Sequence, residues 1–185
     1  MERDDERLPA RSGGRVVSAG GRPDPPAARA DNERAAWVIL REIADPELPT
    51  LSLVDLGMIR RVRPDGDALC VELMPTFLGC PALAMMESMI EQRLAVLGRV
   101  RVEIVRDEAW TTDRITPEGR DKLHAAGFAP PPRGEIADVA SLAGTPCPYC
   151  NSTDTTLHSA FGPTPCRAVH YCRACRQPFE QFKPV

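Results

Sequence analysis

Apolar residues recur at helical spacing through Ala36, Trp37, Leu40, Ile43 and Ala44, and Pro46 stops the run. Asp31-Asn32 supplies good caps, so a first helix is expected to begin there. Two strand-like runs follow, 58–63 and 68–74, flanking Pro64-Asp65-Gly66-Asp67, and the Asp-Gly pair predicts a hairpin. A second apolar stripe, Leu83, Met86, Ile90, Leu94 and Leu97, steps by threes and fours and closes at Gly98. Met85, Met86 and Met89 on this helix read as core filling. Residues 100–105 alternate as a third strand. The order helix, strand, strand, helix, strand predicts an α+β fold, a small α-β-β-α-β sandwich with its helices on one face of a mixed sheet. Thr116-Pro117-Glu118 then opens a short helix that closes near Gly127.

Where this pattern fails, the chain divides. Residues 1–30 mix Arg, Asp, Gly and Pro with almost nothing apolar, and are expected to be a disordered tail. The α/β domain is expected over 31–130. Pro130-Pro131-Pro132-Arg133-Gly134 breaks the periodicity, a linker is expected over 131–145, and a separate module over 146–185.

Composition narrows the class of function. The chain has 185 residues, 43% of them hydrophobic, enough for a core, and its net charge of -3 gives no argument for nucleic acid. No apolar run approaches the ~20 residues that span a bilayer. The acidic start Met1-Glu2-Arg3-Asp4-Asp5-Glu6 has neither the basic nor the apolar region of a signal peptide, so a cytoplasmic location is expected. His124, His158 and His170 follow Asp121, Thr155 and Arg167 by three residues, so no Glu-x-x-His pair exists to build a carboxylate-bridged di-iron centre. No Gly-x-Gly-x-x-Gly follows a strand, which argues against a dinucleotide-binding reductase.

Seven cysteines carry the candidate chemistry. Cys147-Pro148-Tyr149-Cys150 and Cys172-Arg173-Ala174-Cys175 each fit a turn that aims two sulfurs at one ion, the pattern of a structural four-cysteine zinc site; iron suits four thiolates as well. A module of this size has too little core to fold without ligation. Cys166, in the loop Phe161-Gly162-Pro163-Thr164-Pro165, reads as a spare donor near that site, either a second reactive thiol or an alternative ligand. Cys70, inside the second strand, reads as structural. Cys80 stands between Gly79 and Pro81 at the start of the second helix, where an N-cap position and the helix dipole favour a thiolate. The competing reading is a small buried apolar side chain.

Asp45-Pro46-Glu47-Leu48-Pro49, Leu53-Val54-Asp55-Leu56-Gly57 and Thr76-x-x-Gly79-Cys80-Pro81 resemble the signature of the SufT-like domain family associated with metal-sulfur cluster assembly. With Trp110-Thr111-Thr112-Asp113 and Phe161-Gly162-x-Thr164-x-Cys166 added, the chain from about residue 31 onward is similar to the PaaD family, accessory components of the phenylacetyl-CoA epoxidase. The resemblance implies that Cys80 is the functional thiol, with Asp45, Glu47, Asp55 and Thr76 near it, and that Cys147, Cys150, Cys172 and Cys175 hold a metal, zinc or iron. It implies iron-sulfur cluster or metal maturation of the epoxidase, with a transient cluster at Cys80 and the iron-sulfur reductase component as the foremost partner. A non-catalytic subunit that scaffolds the complex is the alternative. The family's usual Tyr-Ser before Gly-Cys-Pro is Phe77-Leu78 here, which removes two hydroxyls from the loop, and Arg114 replaces a usual aromatic.

Overall fold

A computed structural model describes residues 26–133, 142 and 144–183. Of the expected tail, 1–25 lie outside the described residues, as do 134–141 and 143 of the expected linker. Helix α1 (Pro26–Leu40) begins before the expected Asp31-Asn32 caps, with Pro26 at its first position, where the missing N–H costs nothing. Strands β1 (Ile59–Asp65) and β2 (Ala68–Leu73) form the expected hairpin, with Gly66 in the turn at φ 63°. Helix α2 (Leu83–Leu94) crosses to β3 (Arg99–Ile104), which pairs parallel to β2, giving a three-stranded mixed sheet in the order β1-β2-β3.

Alternation along β2 decides which face the helices cover. Leu69, Val71 and Leu73 join Ala36 and Leu40 of α1 and Met86, Ile90 and Leu94 of α2 in one core. Met86 therefore fills the core as expected and Met89 packs at its edge, but Met85 points outward at 56% exposure, so the methionine cluster is not uniformly core. Cys70 and Glu72 face the other side. There Arg60 and Arg63 clamp the Glu72 carboxylate at 2.8 and 3.1 Å, and Cys70 Sγ donates to Glu103 Oε2 at 3.2 Å. Burial, with Glu103 beside it, pushes the Cys70 thiol up to about 11, in keeping with a structural role.

The loop between α1 and β1 is held by its own acids. Asp45 Oδ1 accepts from the backbone N–H groups of Glu47 and Leu48 at 2.9 and 2.8 Å, and Ser52 and Asp55 cap each other's backbone N–H at 2.8 and 3.0 Å. Gly57, at φ +65°, closes this loop where a Cβ would stand 2.1 Å from the Arg114 carbonyl oxygen. Helix α3 (Pro117–Ala125) starts as expected on Thr116, whose hydroxyl accepts from Gly119 N–H at 2.9 Å.

The second sheet starts directly after α3. Its strands are β4 (Phe128–Ala129), β5 (Thr155–Ser159), β6 (Arg167–Cys172) and β7 (Pro178–Phe182), in the order β4-β7-β6-β5. The ribbon is fastened to the first module by apolar packing. Phe182 at the end of β7 is 2% exposed, belongs to the same core as α1 and α2, and lies 5.8 Å from Trp110, whose indole N–H donates to Leu56 O at 2.9 Å. Among the described residues no helix is long and apolar enough to cross a membrane.

Candidate functional site

Two thiol centres emerge. At the ribbon tip, the sulfurs of Cys147, Cys150, Cys172 and Cys175 all lie within 4.8 Å of one another. The Cys147–Cys175 and Cys150–Cys172 pairs are 3.6 Å apart. A tetrahedron with ~2.3 Å metal–sulfur bonds has edges of about 3.8 Å, so the donor set fits a tetrahedral ion. The backbone N–H of Cys175 helps draw the Cys172 thiol down to about 7, while burial and neighbouring sulfurs push Cys175 up to about 12. Four thiolates this close require a cation between them. His170 is not a donor here. It is fully buried, stacked on Phe179 at 5.2 Å, and burial holds its pKa below the usual value.

The second centre is a narrow cleft where the two modules meet. Asp45, Glu47, Thr76 and Cys80 line one wall, and Pro165, Cys166 and Phe182 line the other. Cys80 sits one turn before α2: its carbonyl accepts from Leu83 N–H at 3.2 Å, and the N-cap is Ala82. The expectation of an N-cap thiolate is thereby corrected. Burial pushes the Cys80 thiol above its ordinary pKa, the Ala82 N–H opposes this, and Glu47, Asp45 and Cys166 push it further up. A Cβ at Gly79 would meet the exposed Phe77 ring at 2.8 Å, so a larger residue there would displace that ring.

Of the residues the resemblance grouped with Cys80, the fold brings Asp45, Glu47 and Thr76 to the cleft. Asp55 is elsewhere: its carboxylate is bound by Lys122 Nζ at 2.6 Å and Ser52 N–H at 2.8 Å, so it braces the loop. Burial raises the Asp55 pKa, but the Lys122 and Ser52 hydrogen bonds outweigh it and the net shift is downward. Burial dominates at Asp45, whose carboxyl is held above its usual value despite its two backbone bonds. Phe77 and Leu78, the residues in place of the two lost hydroxyls, are 51% and 58% exposed, and Phe77 lines the cleft.

Cys166 is the main displacement from expectation. It belongs to the cleft rather than to the tetracysteine centre, and its thiol is pushed up by burial, with Glu47 adding to the shift and the Thr164 hydroxyl opposing it. Arg167 had no role assigned from the sequence. In the fold it spans the junction, donating from Nη2 to Glu47 O at 3.3 Å, from Nη1 to Glu180 at 3.0 Å and from Nε to Thr164 Oγ1 at 2.9 Å. The separation of Phe161-Gly162-x-Thr164-x-Cys166 from both Cys-x-x-Cys turns was the available signal.

Two protein families match separate parts of the chain. Residues 132–183 match the PaaD zinc beta ribbon domain family, and residues 33–105 match the iron-sulfur cluster assembly protein family. The chain is 40% identical over 151 residues to a putative 1,2-phenylacetyl-CoA epoxidase subunit of Escherichia coli, covering 80% of this chain and 91% of that protein. The crystal structure of a domain of unknown function, DUF59, from Bacillus anthracis covers 54% of this chain and 97% of its own at a TM-score of 0.50 and 21% identity, a likeness of fold alone.

Proposed function

Given that the chain belongs to the PaaD family of phenylacetyl-CoA epoxidase components, with a zinc-ribbon-type metal-binding module at its C-terminal end, we propose that it is an accessory factor that loads iron or an iron-sulfur cluster into that oxygenase. Cys80 receives the cargo and passes it to a client, the iron-sulfur reductase component of the complex. The observation carrying this reading is a half-buried thiol facing the acidic residues Asp45 and Glu47 in an open apolar cleft. The cargo's positive charge is attracted by both carboxyl groups. Ligation must displace the proton that burial keeps on sulfur, which weakens binding and leaves the cargo exchangeable. The cytoplasm, where thiols stay reduced, suits this chemistry.

The ribbon ion is zinc in this reading, and its role is structural. The sulfurs of Cys147, Cys150, Cys172 and Cys175 hold it, and no step of the transfer passes through it. Elemental analysis of protein purified without chelators should give zinc equimolar with the chain under aerobic and anaerobic conditions alike; iron in its place would overturn the assignment.

Anaerobic reconstitution tests the transfer. Wild type is expected to load cluster and activate its client, and Cys80→Ser to lose both. Full client activation by Cys80→Ser would remove Cys80 from the mechanism. A scaffolding role is the competing reading, favoured by the exposed Phe77 and Leu78 at the cleft and Phe161 beyond it. Fixed-stoichiometry co-purification with the epoxidase and indifference to Cys80 substitution would support that reading instead.

A further inference from the structure

The loop that carries Cys166 is fixed against the first module. Gly162 N–H donates to Arg167 O at 2.8 Å and Arg167 N–H to Thr164 O at 3.1 Å, closing the loop, while Lys183 N–H donates to Cys166 O at 2.8 Å. Arg167, 9% exposed, then ties the loop to the Glu47 carbonyl across the junction. The Cys166 sulfur lies 3.1 Å from the Thr164 hydroxyl and is partly buried against the first module's core. It is not a substitute ligand for the ribbon ion: β6 runs from Arg167 to Cys172 as extended chain, which puts Cys166 roughly 20 Å from that ligand at ~3.3 Å per residue.

What Cys166 does share is the cleft. Cys80 and Cys166 are both half-buried there, and the charge of Glu47 reaches both thiols. Among the described residues no hydrogen bond is made to the Glu47 carboxylate. Two thiols and a carboxylate lining one cleft are a mixed soft and hard donor set, suited to a borderline cation such as Fe2+.

Resting on the reading of this cleft as the cargo site, we propose that Cys80 and Cys166 ligate the same thiophilic divalent cation, so that the site is completed only by the ribbon. Each thiol releases its proton to solvent on ligation, and no change of oxidation state is required.

Cd2+ serves as the probe, added anaerobically to the full chain with its ribbon already loaded with zinc, and read by the sulfur-to-cadmium charge-transfer band. Wild type is expected to bind a further Cd2+ ion. Cys80→Ser and Cys166→Ser should each weaken that binding by at least the roughly 10- to 100-fold that loss of an outer-shell partner costs, and should each diminish the band. Thr164→Val, which removes the hydroxyl beside Cys166 but no donor, should keep the site. A Cys166→Ser chain that retains its zinc and binds Cd2+ like wild type overturns the proposal. If Cys166→Ser loses its zinc, dibromobimane on wild type decides: a bridge joining the Cys80 and Cys166 peptides supports the shared site, and single-thiol adducts alone overturn it. The transfer reading fails separately. Loss of Cd2+ by both serine variants, with Cys80→Ser still activating the client, keeps the shared site and removes the transfer function.

Discussion

In the ribbon four sulfurs stand within 4.8 Å of one another, whereas the thiols of the cleft come from different modules and line one shared cavity. The first arrangement satisfies an ion completely from protein donors within one short module, so binding energy becomes folding energy. The second places its two thiols in a cleft open to solvent, where burial and the neighbouring Glu47 push both above the ordinary thiol pKa. Closed donor sets retain their ions and open ones exchange them. The two centres are also connected, because β6 and β7 carry the folding imposed at the ribbon tip to Cys166, Arg167 and Phe182 at the cleft.

The largest effect comes from breaking the closed centre. Cys147→Ala is expected to forfeit metal-derived folding energy on the order of 10 kcal/mol and to melt the second sheet. The core of α1, α2 and β1–β3 should survive, with amide resonances of that core retained and those of residues 155–182 collapsed. Retention of ribbon resonances in metal-free protein would contradict the contrast between a closed structural site and an open one.

Phe182→Ala separates the centres without touching a sulfur. Removing a 2% exposed ring from the core should cost about 3–5 kcal/mol in urea unfolding. Zinc content should stay unchanged while Cys80 alkylates faster, since one wall of its cleft is gone. Unchanged Cys80 reactivity would show that the cleft does not depend on the ribbon's seating.

Asp55→Ala is a smaller perturbation that tests the loop brace. It strands the buried Ser52 N–H, at about 1–3 kcal/mol, while the half-exposed Lys122 ammonium turns to water. Because the folded Asp55 pKa is lowered, its contribution is present above the unfolded value near ~3.9 and is lost as pH falls through the folded value. The stability gap between wild type and variant should therefore close in acid, while Cd2+ binding at the cleft stays unchanged. A loss of Cd2+ affinity would return Asp55 to the site.

The first module was legible because its signals are local: two apolar stripes, an Asp-Gly turn and an alternating strand each specify an element without reference to distant residues. The tetracysteine centre was legible for the same reason, since each Cys-x-x-Cys turn aims its own sulfurs. The cleft was only half legible. Asp45, Glu47 and Thr76 travel with Cys80 in motifs, but Cys166 reaches it through a docking of two modules that leaves no periodic trace. The Cys80 thiolate failed because burial beside two acids outweighs the local N–H groups, and burial is a tertiary property. Asp55 failed because a carboxylate in a conformationally demanding loop can serve the backbone as readily as a ligand.

Asp45→Asn is the mildest change and the sharpest test of the contrast. An amide oxygen can still accept from the Glu47 and Leu48 N–H groups, so the loop geometry should hold. Burial raises the Asp45 pKa in the fold, so its ionised form opposes folding: that carboxyl's contribution is full below the unfolded value and is lost as pH rises through the folded one. At neutral pH the variant should unfold at slightly higher urea than wild type, and the advantage should vanish in acid. Removing the charge should also lower the Cys80 pKa, moving its alkylation profile to lower pH. Yet Cd2+ affinity at the cleft should fall, because a carboxylate attracting the cation is gone. Stability and binding would then move in opposite directions, as expected where a residue is kept for function at a cost to the fold. No donor of the closed centre can behave this way, since each loss there weakens metal and fold together. If Asp45→Asn lowered stability and left Cd2+ binding intact, Asp45 would be a loop brace like Asp55, and the cleft would rest on Glu47 and its two thiols alone.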